Sequence, residues 1–218
     1  MNKRSFQIAC MILTIFFICP ALILGEELKT IQLLDPQTES GRPLMQVLKD
    51  RKSSRSFSKD ALPQQVLSNL LWAASGVNRP SSGKRTAPSA VNWKEIDIYV
   101  ATADGLYLYD PNKHALKSIL AEDIRALTGR QPFVKDVPIN LVYVAEFSRM
   151  GRAKEDDKVF YSAADTGYIS QNVYLYCASE GLVTVVRGLV DKPALAKKMN
   201  LGPDQRITLS QSVGYPKK

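Results

Sequence analysis

The chain has 218 residues, of which 45% are hydrophobic and 23% are charged, and its formal net charge is +8. These proportions are ordinary for a globular protein, and the length suits one domain with a substantial core. The basic residues are dispersed and match no zinc-finger or RNA-binding signature, so the charge favours small anionic ligands over nucleic acid. A single histidine argues against a histidine zinc site and a Ser-His-Asp triad, and the sequence contains neither Gly-x-Gly-x-x-Gly nor Walker A.

Residues 1–25 are predicted to be a signal peptide. Lys3 and Arg4 precede an apolar stretch over 8–24, and Gly25 supplies a small residue at the cleavage site. The alternative is an uncleaved N-terminal anchor, because the apolar stretch is just long enough to span a bilayer. Both interpretations place the domain outside the cytoplasm, as a periplasmic or secreted protein.

The rest of the chain is predicted to be a polar lead-in over 26–42 and one domain over 43–218, whose elements follow in chain order. We predict helices over 43–49 and 63–75, strands over 96–101 and 106–109, a short helix over 123–128, a buried strand over 138–147, a long helix over 155–180, a strand over 184–188, a helix over 191–200 and a strand over 207–213. The loop over 77–94 is longer than usual, which predicts that it is either functional or disordered.

The long helix carries a track of small residues, Ala163, Ala164, Gly167 and Ser170, at three- and four-residue spacing. Small side chains allow another helix to approach closely. We therefore expect one side of this helix to lie in the core and the other to contact a second subunit.

A basic segment follows the first predicted helix. Arg51, Ser53 and Arg55 alternate, so an extended backbone would place all three on one face beside Lys52. Two guanidiniums and a hydroxyl on one face suit a phosphate, which arginine binds bidentately. The alternative is a solvated basic turn.

Six short sequence motifs, called words here, occur in the order that is typical of one protein family. They are Arg51-x-Ser53-x-Arg55-x-Phe57; Leu70-Leu71-Trp72-Ala73-Ala74-x-Gly76-x-Asn78-Arg79; Arg85-Thr86-Ala87-Pro88-Ser89-Ala90-x-Asn92; Ile169-Ser170-Gln171-Asn172; Gly181-Leu182 leading to Arg187-Gly188; and Val213-Gly214-Tyr215-Pro216. In these words the chain resembles the FMN-dependent nitroreductase superfamily, closest to its SagB-type dehydrogenase-like branch. The resemblance implies an α+β sandwich with a central, mostly antiparallel sheet flanked by helices, a long central helix and a homodimer.

The resemblance also implies which residues bind the cofactor, FMN. Arg51, Ser53 and Arg55 resemble the family's residues that bind the phosphate and ribityl chain of FMN. Lys52 lies where a further polar contact is expected. Pro88, Ser89, Ala90 and Asn92 resemble the segment that reaches the flavin from the other subunit, and Val186, Arg187 and Gly188 the stretch beside the isoalloxazine ring. A basic residue after Gly-Tyr-Pro usually completes the phosphate site; here Lys217 or Lys218 must serve, and Lys218 is our candidate.

From this resemblance we expect an exported FMN-dependent oxidoreductase that passes hydride or electrons through its flavin to a small substrate. The donor is NAD(P)H or another protein, and no catalytic side chain is assigned. The alternatives are a non-catalytic flavin- or ligand-binding module and a peptide dehydrogenase that oxidises azoline rings. Neither nucleic acid nor a metal is expected, and membrane contact is expected only through the N-terminal segment.

Overall fold

The computed structural model describes residues 29–218. The predicted signal peptide or anchor, residues 1–25, lies outside the described residues. Within the described range, no helix is both long enough and apolar enough to cross a bilayer.

A seven-stranded sheet forms the centre of the fold, in the order β1-β6-β5-β4-β7-β9-β8, and every neighbouring pair of strands is antiparallel. The strands are β1 (Thr30–Gln32), β4 (Ile96–Thr102), β5 (Gly105–Asp110), β6 (Ala115–Leu120), β7 (Ile139–Glu146), β8 (Val183–Arg187) and β9 (Gln205–Gly214), while β2 (Val77–Arg79) and β3 (Lys84–Arg85) form a separate hairpin. Strand β7 is buried along almost its whole length because both faces of the sheet are covered.

Four α-helices cover the sheet: α1 (Leu44–Asp50), α2 (Gln64–Ser75), α3 (Glu155–Ser179) and α4 (Lys192–Lys198). Helices α2 and α3 contribute Leu70, Leu71 and Val173 to the larger hydrophobic core on one face of the sheet. Helix α4 places Leu195 against Val142 in the smaller core on the other face. This arrangement confirms the predicted α+β sandwich with a long central helix.

All the predicted strands and α-helices are present except the short helix over 123–128. That segment is a 3₁₀ helix, Arg125–Thr128, in which the carboxylate of Asp123 accepts hydrogen bonds from the backbone N–H and the side chain of Arg125. Such local bonding competes with an α-helical turn. Four strands were not predicted: β6, whose apolar residues do not alternate regularly, β1, a three-residue edge strand within the lead-in, and the short strands β2 and β3 of the loop over 77–94.

The long loop over 77–94 is ordered rather than featureless. It contains the β2–β3 hairpin and two 3₁₀ turns, Pro80–Ser82 and Ala90–Asn92. Val91, Asn92 and Lys94 all have positive φ values, of 51°, 59° and 54°. This conformation is costly for a β-branched residue such as Val91, so neighbouring contacts must hold the loop in place.

The single histidine has a structural role. His114 lies in the turn between β5 and β6, where its Nε2 is 2.7 Å from Ser68 Oγ and its Nδ1 is 2.9 Å from the hydroxyl of Tyr109. Burial lowers the pKa of His114 below its usual value. Both ring nitrogens are therefore engaged: Nε2 ties this turn to α2, and Nδ1 ties it to β5.

Candidate functional site

Tyr174 on α3 joins the basic segment to strand β8. Its hydroxyl lies 2.8 Å from Ser53 Oγ and accepts a hydrogen bond of 2.9 Å from the backbone N–H of Val186. The guanidinium carbon of Arg51 lies 5.3 Å from the centre of the same ring, in the range of a cation–π contact. The structure thus brings together Arg51, Ser53 and Val186 through Tyr174, a residue that was not predicted from the sequence to belong to the site.

The basic segment runs between β8 and the C-terminal residues. The backbone N–H of Ser54 donates to the carbonyl of Thr184 at 3.0 Å, and Phe57 forms an isolated β-bridge with Pro216. Arg51 and Arg55 form no ion pair with any residue in the described part of the chain. Two guanidiniums therefore remain available to an anion from outside the chain.

Two depressions border this segment, and a third adjoins one of them. Arg55 and Lys217 line one of about 450 Å³, whose wall includes the ring of Phe133. Lys218 lines a neighbouring one of about 600 Å³ that Lys217 also borders. Lys52 lines the second depression on the segment itself, of about 380 Å³, together with Tyr174. The terminal lysine that shares a depression with Arg55 is thus Lys217 and not Lys218.

The side chain of Arg187 is buried and hydrogen-bonded within the protein. Its two terminal nitrogens donate to the carbonyl of Thr128 at 2.8 Å and to Oδ1 of Asn140 at 3.0 Å, and the residue is only 5% exposed. Burial lowers the pKa of Arg187 to about 10. The stretch Val186–Arg187–Gly188 therefore offers a ligand its backbone, Val186 and the exposed Gly188.

The segment Pro88–Ala90 and Asn92 lies on the other side of α3. The backbone N–H of Ala90 donates to Oδ2 of Asp165 at 2.9 Å. Asp165 precedes Tyr174 by nine residues, which is about 14 Å along an α-helix and half a turn around it. One chain therefore does not bring this segment to the basic segment.

A buried pair of carboxyl groups stands behind that segment. Glu95 is 0% exposed and Asp165 is 2% exposed. Oε2 of Glu95 accepts from the hydroxyl of Ser89 at 3.2 Å, whereas Oε1 has no partner. Burial raises the pKa of Glu95 to about 7, and the neighbouring Asp165 raises it further than burial alone would.

Neither acid of this pair was predicted from the sequence as a site residue. One signal was available: Asp165 is the only acidic residue between Lys158 and Ser179 of the long helix. A lone carboxylate among small and apolar neighbours is expensive to bury, and so it indicates a function or a partner. Glu95 directly precedes a strand, which gave no comparable signal.

Helix α3 also carries apolar side chains that face solvent. Phe160 is 66% exposed and Tyr168 is 51% exposed, and between them a Cβ added to Gly167 would meet no atom within 4 Å. Of the predicted small-residue track, Ser170 points into the core, where its hydroxyl donates to the carbonyl of Gly167. Met45 on α1 and Val91 add further exposed apolar surface, at 76% and 79% exposure.

Replacing Tyr174 with Phe tests whether its hydroxyl holds the site together. We expect Tyr174→Phe to lower the free energy of unfolding by about 1–3 kcal/mol, because the N–H of Val186 loses its acceptor. Urea denaturation measures the change. Tyr168→Phe is the matched control, since the hydroxyl of the exposed Tyr168 has no hydrogen bond in the described structure, and equal stability losses in the two variants would contradict the assignment.

Comparison with known proteins places these features in one family. A sequence profile of the nitroreductase family matches residues 48–215. A protein of Methanocaldococcus jannaschii, provisionally named a nitroreductase, is 34% identical over 169 residues, which cover 73% of this chain and 84% of the relative.

Solved structures agree with the profile. A crystal structure from Ralstonia eutropha JMP134, provisionally described as a nitroreductase, has a TM-score of 0.84 at 45% identity and covers 89% of this chain and 93% of its own. The NADPH:FMN oxidoreductase of Vibrio harveyi, in complex with NAD⁺, shares the fold with a TM-score of 0.61 at 18% identity, covering 80% of this chain and 69% of its own. By its profile match and these identities, the chain belongs to the nitroreductase family, whose members are oxidoreductases that generally depend on flavin.

Proposed function

We propose that this protein is an FMN-dependent oxidoreductase, with the FMN phosphate and ribityl chain held by Arg51, Ser53 and Arg55. The observation that carries the proposal is the Tyr174 hydroxyl, which ties Ser53 to the backbone of Val186. The candidate phosphate ligands and the candidate ring-binding stretch are thereby neighbours, as a single flavin requires.

The charges of the basic segment fit this cofactor. A phosphate monoester carries nearly two negative charges at neutral pH, and arginine binds it through paired hydrogen bonds. Arg51 and Arg55 have no acidic partner among the described residues, and Lys217 borders the same depression as Arg55. Lys52 and Lys218 remain further candidates at the edge of this site.

When bound, FMN supplies the redox chemistry, and the protein supplies position, charge and exclusion of water. Arg51, stacked on Tyr174, orients the phosphate end, while the half-buried Val186 and the exposed Gly188 are the proposed neighbours of the ring. NAD(P)H is the proposed donor in vitro. The name of the Vibrio harveyi relative supports this choice, and the chain needs no dinucleotide motif if the nicotinamide stacks on the flavin itself.

We further propose that the active form is a homodimer. In one chain the Pro88–Asn92 segment and the basic segment lie on opposite sides of α3, so a flavin that touches both requires a second copy. The exposed apolar residues of α3 and α1 provide the surface for such an interface, since contiguous apolar patches mark interaction sites. A twofold axis through α3 would build two equivalent sites.

Within the family we place the chain on the SagB-type branch, on the strength of the six sequence words. That placement makes a peptide with an azoline ring a candidate substrate besides small nitro compounds and quinones. Oxidation of such a ring to the azole by the purified protein would identify the peptide dehydrogenase. If NADPH never reduces the bound flavin and the protein turns over no substrate, the protein is a non-catalytic flavin-binding module.

The first prediction concerns the cofactor. The purified protein should show a flavin absorption spectrum with one FMN per subunit, and NADPH should bleach it under anaerobic conditions.

The double variant Arg51→Ala, Arg55→Ala should bind FMN at least about tenfold more weakly, because at least one charge-assisted hydrogen bond is lost. Fluorescence titration measures the affinity, and Arg152→Ala, at an exposed arginine without an ion pair, should leave it unchanged. An unchanged affinity in the double variant refutes the phosphate site.

The second prediction concerns assembly. Gly167→Leu should prevent dimerisation and reduce FMN retention, while the subunit itself should remain folded because a Cβ at this position meets no atom of its own chain within 4 Å and leucine favours the helix. Sedimentation velocity and circular dichroism separate the two effects. Lys117→Leu adds the same side chain on β6 as a control. A wild-type monomer that carries FMN would rule out the shared site.

The third prediction concerns location and electron supply. We propose that residues 1–25 direct the domain out of the cytoplasm and are cleaved after Gly25, and that a protein is the physiological electron donor because NAD(P)H is not freely supplied there. Cell fractionation with N-terminal sequencing should find a mature chain that begins at Glu26. A cytosolic chain that begins at Met1 would end the export proposal, and saturable reduction at micromolar NADPH would argue against a protein donor.

A further inference from the structure

Glu95 and Asp165 hold the two ends of the turn that precedes β4. The hydroxyl of Ser89 accepts from the backbone N–H of Lys94 at 2.8 Å and donates to Oε2 of Glu95 at 3.2 Å. On the other side, Oδ2 of Asp165 accepts from the backbone N–H of Ala90 at 2.9 Å. The turn is therefore restrained by one acid from the start of β4 and by another from α3.

The two restraints form one network only if a hydrogen lies between the two carboxyl groups. Glu95 and Asp165 are 0% and 2% exposed and lie within hydrogen-bonding reach of each other, and Oε1 of Glu95 has no partner among the described residues. Two carboxylates have no hydrogen to share, and buried charges of like sign repel. A single proton on Glu95 resolves this conflict, because it bonds Glu95 to Asp165 and leaves Oε2 to accept from Ser89.

The loop is the part of the structure that can yield when this proton is lost. The backbone of Glu95 is fixed to the sheet, where its carbonyl accepts from the N–H of Glu146 at 2.8 Å, and Asp165 lies near the middle of α3. Val91 and Asn92, by contrast, have left-handed backbone conformations that persist only while their surroundings maintain them. Repulsion between the two acids is therefore relieved by movement of the loop rather than of the sheet or the helix.

Basic side chains beside the pair offer a second carboxylate another position. The adjoining cavity of about 250 Å³ is lined by four of them, which form no ion pair within residues 29–218: Arg79, Lys84, Arg85 and Lys94. Asp97, an acid close to Arg85, is held in a two-pronged pair by Arg149, with both bonds at 2.8 Å. An ionised Glu95 can therefore turn from Asp165 toward these cations, and it then no longer accepts from the loop.

We propose that Glu95 and Asp165 are positioning residues that hold the Pro88–Asn92 segment in the conformation that meets the flavin of the other subunit, through one hydrogen shared between their carboxyl groups. Loss of this hydrogen releases the segment and weakens the retention of FMN. The inference rests on the proposed function, because it takes the Pro88–Asn92 segment to be part of the cofactor site. It makes cofactor retention depend on pH through two acids that lie behind this segment.

The direction of this dependence follows from the pKa of Glu95. Burial, and then the charge of Asp165, raises this pKa from 4.5 to about 7 while the loop is held. In the released loop the carboxyl group is solvated, and its pKa returns toward the ordinary value. Between the two values only the held loop carries the proton, so the equilibrium shifts toward release by up to about tenfold for each pH unit. The restraint is strongest below 4.5 and is weakest, and no longer changes with pH, above about 7.

Hydrogen exchange of the purified full-length protein, with and without added FMN, tests the restraint directly. We expect the protection of the Ala90 and Lys94 amides, corrected for intrinsic exchange rates, to fall between pH 5 and pH 7 by up to about tenfold for each unit and then to stay level. Glu95→Gln and Asp165→Asn each place a permanent N–H between the two groups, so both should keep protection high throughout. Asp156→Asn, at an exposed acid in the first turn of α3, should follow the wild type.

Fluorescence titration with FMN measures the consequence for the cofactor. The FMN phosphate itself titrates at about pH 6, but it does so for every variant alike. The dissociation constant of the wild type divided by that of Glu95→Gln therefore isolates the pair, and this ratio should rise between pH 5 and pH 7 by up to about tenfold for each unit. Asp165→Ala, which removes the acceptor of the Ala90 N–H, should bind FMN weakly at every pH.

The outcomes distinguish this inference from the proposed function. If wild type and Glu95→Gln show the same pH dependence of protection and of FMN affinity, the inference is wrong and the proposed function stands. A protein that binds no FMN at any pH overturns the proposed function and, with it, the role of the pair in cofactor retention. Circular dichroism checks each fold; if neither amide variant folds, wild-type protection that stays level between pH 5 and pH 7 overturns the inference.

Discussion

The arrangement of the candidate site depends on one buried phenol. Tyr174 extends from the middle of the long helix and satisfies a backbone N–H at the edge strand β8 while it holds the hydroxyl of Ser53. Buried backbone donors are nearly always paired, so the helix, the edge strand and the basic segment keep one relative position. A basic segment that sequence alone would allow to be a solvated turn thus becomes part of the folded structure.

Helix α3 carries different polar residues on its two sides. Tyr174 faces the basic segment, whereas Asp165, half a turn away, holds the backbone of Ala90. The helix carries apolar side chains both inward, at Val173 and Cys177, and outward, at Phe160 and Tyr168. Such a helix is expected in an interior or at an interface, and burial accordingly raises the pKa of the Cys177 thiol. The proposed dimer explains both the outward apolar surface and the separation of the two segments.

The Pro88–Asn92 region shows how strain and buried charge occur together. Val91, Asn92 and Lys94 keep left-handed backbone conformations because Asp165 and the Glu95–Ser89–Lys94 bonds hold the loop at both ends. Strained backbone of this kind persists where the surroundings determine it, and it is frequent at functional sites. The same bonds place two carboxyl groups against a cavity lined by basic side chains, so the geometry of the loop and the charge of the cavity depend on each other.

The sequence by itself determined the fold class, the strands from β4 onward apart from β6, the four α-helices and the family, and it predicted the basic segment as a candidate phosphate site. These features arise from local periodicity, from turn residues and from short words, all of which lie close together in the chain. Only the tertiary structure decided that Tyr174 joins Ser53 to Val186, that Arg187 turns into the sheet toward Asn140, that Lys217 lies beside Arg55, and that Glu95 meets Asp165 across 70 residues. These contacts depend on the packing of α3 against the sheet and the loop, and a pairing between distant residues leaves no periodic pattern in the sequence.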